Sequence, residues 1–257
     1  MSALPDTIRQ TQVEPGTLAI FWLAQAGFVF KNNAGTIVYI DPYLSDVVER
    51  AFGFKRMMAC PLRADEVSAD LVVCTHEHLD HMDTDALPVV ALNTAARFAG
   101  PSECVKQFRA LGLAEERCLL LEEGKQIEVD GMRITGVYAD HGALAPDALG
   151  VVLDFDGIRV YHTGDTAYRP ERLQFAAAMR PDVLLPCING RYGNMDSREA
   201  ALLVRDISPR LAIASHFWMF VEHGGDPAAF LEACASVAPG VKVIVMRAGE
   251  RYVIAKA

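Results

Sequence analysis

The sequence predicts an α/β (α+β) fold in which two mixed β-sheets pack face to face with helices on the outer faces. Three observations carry this. The chain has 257 residues, 51% of them hydrophobic, enough to bury a substantial core. Short β-branched and apolar runs separated by turn residues occur in two blocks, one after the other. Each block passes into alternating strand-like and helix-like segments, the pattern of β/α units. No long Pro/Gly/Ser stretch or charge block interrupts the chain, so one domain spanning residues 1–257 is expected. No fixed-period repeat relates the two blocks.

Residues 1–16 are polar and contain Pro, without a basic segment followed by an apolar one. They read as a flexible N-terminal tail and not as a signal peptide. The runs at 18–23, 27–30 and 36–40 are strands of a meander, with Asn32-Asn33-Ala34-Gly35 as a hairpin turn. Pro42 stops the third strand directly after Asp41. Residues 43–70 show no periodicity. Within them, 52–58 (Phe-Gly-Phe-Lys-Arg-Met-Met) read as a loop that either flanks a substrate or packs on the core. Residues 71–74 make a short buried strand, and a helix starts near Asp83, a suitable N-cap. A strand at 95–99 precedes an amphipathic helix capped by Ser102, with Val105, Phe108 and Leu111 on one side and Gly112 at its end. The runs 117–121, 126–129, 132–137, 150–155 and 159–161 follow, with turns at Glu123-Gly124, Asp130-Gly131 and Asp156-Gly157. They predict a second antiparallel meander. The last third alternates helices at 170–179, 197–207 and 227–237 with strands at 183–185, 211–214, 242–245 and 252–255.

The net charge of −9 and pI near 5.3 argue against affinity gained by neutralising a phosphate backbone, so no nucleic-acid partner is expected. A small anionic substrate remains compatible, because a bound metal ion reverses the local field. No apolar segment reaches the roughly 18–20 residues that span a bilayer, so no membrane partner is expected either. The six cysteines are scattered without a C-x-x-C pair, as befits free thiols in a reducing cytoplasm.

The chemistry concentrates in Thr75-His-Glu-His-Leu-Asp-His81, with four potential metal ligands within six residues at the end of a strand. Alternation on an extended segment puts His76 and His78 on one side, converging on one ion, while Asp80 and His81 turn toward a second. The spacing is not H-E-x-x-H, since Asp80 stands where the second His belongs. Four ligands cannot complete two hydrolytic sites that each need about three protein ligands and an open position. The remainder comes from other strand ends. His141, before a Gly, suits the His76/His78 site; Asp165, in Thr163-Gly-Asp-Thr166, can bridge two ions; His216 suits the Asp80/His81 site. His162 reads as a core or supporting histidine. His223, on a Gly-rich loop, meets substrate, assists protonation or is exposed there. Asp41 either fixes the tautomer of a ligand histidine or ends its strand structurally. The turn-rich loop Asn189-Gly-Arg-Tyr-Gly-Asn194 either presents Arg191 and backbone N–H groups to an anion or is an exposed loop. The ligand set lacks Cys and suits zinc, manganese or iron.

This series, His76-x-His78-x-Asp80-His81, then His141, Thr163-Gly-Asp165 and Ser215-His216, resembles the full ligand set of the metallo-β-lactamase superfamily. That resemblance implies a four-layer αββα sandwich with a dinuclear site at one edge. The segments 41–45, 162–166 and 190–196 are similar to the UlaG-like branch, which contains the L-ascorbate-6-phosphate lactonase. A metal-dependent hydrolase follows as the expectation. Two divalent ions about 3.5–4 Å apart share a water, lower its pKa toward about 7 and make a bridging hydroxide available, with Asp80 steering it or accepting its proton. The expected substrate is a lactone or ester of a small, anionic, phosphorylated or unphosphorylated sugar acid. Phosphodiester or nuclease-type hydrolysis and a non-catalytic metal- or ligand-binding protein are the alternatives. A homo-oligomer is compatible with this reading.

Overall fold

The first sheet is built where the sequence places its first meander, but it begins with a helix. The computed structural model describes residues 4–257. Within the stretch read as a tail, α1 (Leu4–Gln10) is helical and buries Pro5 and Ile8; the first three residues lie outside the described ones. Lys31 corrects the tail reading in physical terms. Its buried Nζ donates to the Ile8 and Arg9 carbonyls at 3.1 and 2.6 Å, holding the last turn of α1 where a cation is favoured. Burial lowers the pKa of that amine.

β1 (Thr17–Ala24), β2 (Gly27–Asn32) and β3 (Ile37–Ile40) pair antiparallel in succession. After α2 (Val47–Phe52), a short helix in the stretch without periodicity, β4 (Leu71–Val73) joins β3 in parallel. Then α3 (Ala86–Asn93), β5 (Arg97–Gly100), α4 (Ser102–Ala110) and β6 (Cys118–Leu120) extend the parallel half. β6 corrects a prediction: it pairs with β5 and does not open the second meander. A β/α/β crossover returns its strand parallel to the one it left, and α4 is that crossover. One core runs through Phe21, Val29, Tyr39, Val72 and Phe98 of this sheet to Leu87 of α3 and Phe108 of α4. Each such fully buried large apolar side chain contributes roughly 1.5–3 kcal/mol.

The second sheet repeats the plan. β7 (Gln126–Val129), β8 (Met132–Tyr138), β9 (Leu149–Phe155) and β10 (Ile158–His162) form the antiparallel meander. α5 (Gln174–Ala178), β11 (Val183–Leu185), α6 (Ser197–Ile207), β12 (Leu211–Ile213), α7 (Pro227–Val237) and β13 (Lys242–Ile244) follow, the three strands parallel to β10. The helix expected at 170–179 is reduced to a 3-10 turn, Pro170–Arg172, and the five-residue α5. Asp196 caps α6 through the Arg198 and Glu199 N–H groups, with Glu199 answering in a capping box. Asp226 caps α7 ahead of Pro227. The last strand, β14 (Arg251–Ala255), returns to pair antiparallel with β1. Both sheets therefore have seven strands, in the orders β14-β1-β2-β3-β4-β5-β6 and β13-β12-β11-β10-β9-β8-β7. The chain is an α/β fold of two mixed sheets with helices. It divides into two compact units: the residues up to Leu120 with Arg247–Ala257, and Leu121–Met246.

Candidate metal centre

In the first unit the ligands hang from the carboxyl end of β4. The Asp41 N–H donates to Val73 O at 2.9 Å and the Cys74 N–H to Ala99 O at 2.8 Å, so β4 is held on both sides to its end. Gly100 permits this closeness: a Cβ there would lie 2.9 Å from Cys74 O and 2.7 Å from Cys104 Cβ. Beyond Cys74 the strand stops. Residues 75–77 are bends, and the His81 and Met82 N–H groups close a turn on His78 O at 2.9 and 2.7 Å. The expected extended segment is thus absent, and chain reversal, not strand alternation, gathers the imidazoles. His76 Nε2 stands 3.0 Å from His78 Nδ1, a spacing that two nitrogens bound at about 2.0–2.1 Å to one ion adopt. The His76 and His81 ring centroids are 4.1 Å apart, and Asp80 Oδ2 lies 3.6 Å from His81 Nε2.

Buried polar groups orient these side chains. Asp41, fully buried with a left-handed φ of 44°, accepts from the Thr75 N–H at 2.8 Å, from Thr75 Oγ1 at 2.7 Å and from His81 Nδ1 at 2.7 Å. A proton on His81 Nδ1 leaves Nε2 with the lone pair a metal needs. The Thr75 hydroxyl, having given its proton to Asp41, accepts from His76 Nδ1 at 3.1 Å, and the same tautomer results. Gln25, buried and left-handed at φ 51°, donates from Nε2 to Asp80 Oδ2 at 2.8 Å. Asp83 is the fourth buried anchor. It accepts from the Leu44 and Ser45 N–H groups, the Ser45 hydroxyl and the Asp85 and Ala86 N–H groups, tying the loop after β3 to the start of α3. Burial, with the Asp41 and Asp83 carboxylates, pushes the Cys74 thiol well above its ordinary pKa.

In the second unit the ligands sit at three separate strand ends. Asp165 lies three residues past β10, in a turn that Gly164 makes at φ 60°. Its carboxylate is the centre of the group. Oδ1 is 3.1 Å from His216 Nε2, Oδ2 is 3.8 Å from His141 Nε2, and Asn194 Nδ2 donates to Oδ2 at 2.6 Å. His141 follows β8 in a loop fastened to the Asp165 turn, because the Asp140 N–H donates to Thr166 Oγ1 and the Ala167 N–H to Asp140 O. The Arg169 guanidinium beside Asp140 holds that half-buried carboxyl below its ordinary range. His216 follows β12 with φ 58°, and its ring stacks on His223, centroids 5.2 Å apart and planes 3° from parallel. His223 is 8% exposed, which excludes plain loop exposure. His162 ends β10, fully buried, and its Nδ1 accepts from the Gly164 N–H at 3.0 Å, so it braces the turn that carries Asp165. Burial, then the nearby Asp165 charge, pushes the Cys187 thiol up to about 12. It stays protonated and is no ligand in that state.

Each of His76, His78, Asp80, His81, His141, Asp165, His216 and His223 offers a ligand atom suited to a metal ion. The donors fit a divalent ion: imidazole nitrogens, those of His76 and His81 freed by Nδ1 partners, with carboxylate oxygens and no thiolate. Of the expected supporting residues, Asp41 touches His81, His162 touches the Asp165 turn and Asn194 touches Asp165. Arg191 is exposed, its side chain lying by Gly224. Thr75, Asp83 and Gln25 were not expected as site residues. Thr75 and Asp83 flank the ligand cluster, and Gln25 is a buried polar residue closing an apolar strand; that was the only signal available.

The fold and donor set agree with comparisons to known proteins. The family model described as a beta-lactamase superfamily domain matches residues 19–216. The chain is 31% identical to a UPF0173 metal-dependent hydrolase of Methanopyrus kandleri, over 91% of this chain and 99% of that one. It is 29% identical to another from Cupriavidus taiwanensis, over 97% and 91%. Among solved structures, it is similar to Igni18, a metallo hydrolase from Ignicoccus hospitalis, with a TM-score of 0.74 and 26% identity over 93% of this chain and 98% of that one. No helix among the described residues is long and apolar enough to cross a membrane. A mixed-sheet fold, clustered imidazoles and carboxylates and these relatives converge on one conclusion: the chain belongs to the metallo-β-lactamase superfamily, in its UPF0173 family of metal-dependent hydrolases.

Proposed function

We propose that this hydrolase is dinuclear and opens the lactone or ester bond of a small, anionic, sugar-derived acid, phosphorylated acids among them. The observation that carries two ions is Asp165, whose two oxygens face two different imidazoles, His141 and His216. A carboxylate placed in this way can be shared by a pair of ions. In this reading His76, His78 and His141 serve one ion, Asp80, His81 and His216 the other, and Asp165 is common to both. The lactone and the sugar acid rest on the similarity of segments 41–45, 162–166 and 190–196 to the lactonase branch. The six cysteines are free, which supports a cytoplasmic setting.

When bound, divalent ions supply the charge that makes water acidic near neutral pH and polarises the scissile carbonyl. The protein does the rest. Gln25 fixes Asp80 by one oxygen, so the carboxylate is held in place to accept the proton of the attacking water. Asp41 and Thr75 keep Nδ1 of His81 and His76 protonated and their Nε2 atoms basic. Asn194 restrains Asp165. Arg191 offers a positive charge to the substrate anion.

Substrate profiling of metal-reconstituted protein tests this. Turnover of sugar-acid lactones without phosphodiester cleavage supports it; phosphodiester cleavage without lactone turnover sinks it. A non-catalytic protein is the outcome if no substrate is hydrolysed in a His76-dependent, metal-dependent manner.

A further inference from the structure

Near the His216/His223 pair, through space for Tyr192 and along the chain for Trp218, the second unit presents two large aromatic side chains to solvent, Tyr192 at 47% and Trp218, two residues after His216, at 52% exposure. Both have left-handed backbones, φ 54° and 53°, as does His216 between them in sequence. A left-handed bulky residue is an uncommon and strained choice, and such residues gather at ligand-binding sites. The turns that carry them are closed. The Asn194 N–H donates to Arg191 O at 3.0 Å across Tyr192, and the Trp218 N–H to Gly224 O at 3.1 Å. Rings held this way lose little conformational entropy when something binds them.

Tyr192 is continuous with the ligand histidines of this unit, and Trp218 follows His216 by two residues. The Tyr192 ring meets His223 edge-on at 5.4 Å, and His223 stacks on His216. A second, independent observation points to a polar ligand at the same loop. Asn189 and Asn194 bracket Tyr192, are 4% and 6% exposed, and the side-chain oxygen of each has no hydrogen-bond partner. For Asn194 the orientation is fixed, since its Nδ2 faces the Asp165 carboxylate. A buried acceptor without a donor costs about 1–3 kcal/mol, and a hydroxyl from outside the chain removes that cost. Arg191, between the two asparagines, makes no ion pair among the described residues.

We propose that Tyr192 and Trp218 are specificity-determining residues that take the apolar face of a ring in the substrate. Asn189 and Asn194 receive its hydroxyl groups and Arg191 its anionic group. The preferred class is a hydroxylated, anionic ring ester or lactone over an open-chain ester of the same charge. This rests on the hydrolase reading above.

The test compares kcat/KM of the metal-loaded protein on a hydroxylated ring lactone and an open-chain ester of equal charge, with a parallel binding titration. Tyr192→Gly and Trp218→Gly remove the rings, and glycine suits both left-handed positions, so the fold is kept. Each variant lowers the ring-to-chain ratio by about three- to tenfold, mainly through KM. Binding is read by tryptophan emission with the ring-opened hydroxy acid. Trp22 is 1% exposed, so a response that disappears in Trp218→Gly belongs to Trp218. An unchanged ratio and an unresponsive Trp218 overturn the proposal. A ratio that stays constant while Trp218→Gly halves the mass in light scattering also overturns it, and assigns the patch to a second copy of the chain. If the parent hydrolyses neither substrate, the hydrolase reading fails separately; the emission titration then still decides whether Trp218 binds the ring.

Discussion

The ligand groups of the two units are built in opposite ways. In the first unit, four ligands fall within six residues of one loop, braced by Asp41, Thr75, Gln25 and Asp83. In the second, His141, Asp165 and His216 come from the ends of β8, β10 and β12, and Asp165 joins them. The first half is a local structure whose accuracy depends on buried hydrogen bonds to the loop. The second depends on strand order, and on the single carboxylate at its middle. A fault in the first should therefore be graded, whereas loss of Asp165 should be felt at both of its histidines.

The largest expected effect follows from that carboxylate. Asp165→Ala should weaken the sites containing both His141 and His216 and lower kcat by roughly a thousandfold or more. His216→Ala should weaken one site and spare the other, a contrast that metal titration reads directly. In the first half, Asp41→Asn leaves the shape but removes the acceptor that fixes His81. Metal affinity or activity should fall about 10–100-fold. An unchanged affinity would make Asp41 a structural strand-end residue. Gln25→Ala frees one oxygen of Asp80, and a loss of about tenfold in kcat with little change in metal content would mark Gln25 as a positioning residue.

The smallest effect lies away from the ions. Asp154 on β9 accepts from the Gly157 N–H and pairs with Arg133 and Arg159. Burial opposes its charge, yet these partners outweigh burial and lower its pKa. Because the folded pKa is below the unfolded one near 3.9, the stabilisation is present above that pH and lost as pH falls through the folded value. Asp154→Asn should cost about 1 kcal/mol at pH 7, with the difference from the parent vanishing in acid unfolding curves.

The first half was legible in the sequence because its information is local. Thr75 to His81 names its own ligands, and Asp41-Pro42 marks the strand end that supports them. The second half was legible only as strand-end candidates, His141, Asp165 and His216, since contacts between distant strands leave no spacing to read. The role of Gln25 leaves no spacing to read for the same reason: its partner Asp80 is 55 residues away. β6 was placed in the wrong sheet because a three-residue strand carries no sign of its partner, and α4 decided it. The tail became α1 because Lys31, buried on β2, collects its carbonyls. Strand-like geometry at 75–77 was expected from His-x-His spacing, but a turn closed on His78 O brings the same rings together.

The central claim is a two-ion centre that shares Asp165. Metal content per chain, measured on the purified parent, Asp165→Ala and His216→Ala proteins after loading with zinc or manganese, tests it most directly. Two ions in the parent, weakened binding of both in Asp165→Ala and one retained in His216→Ala is the predicted result. A single ion in the parent, held equally well when Asp165 is removed, would contradict it.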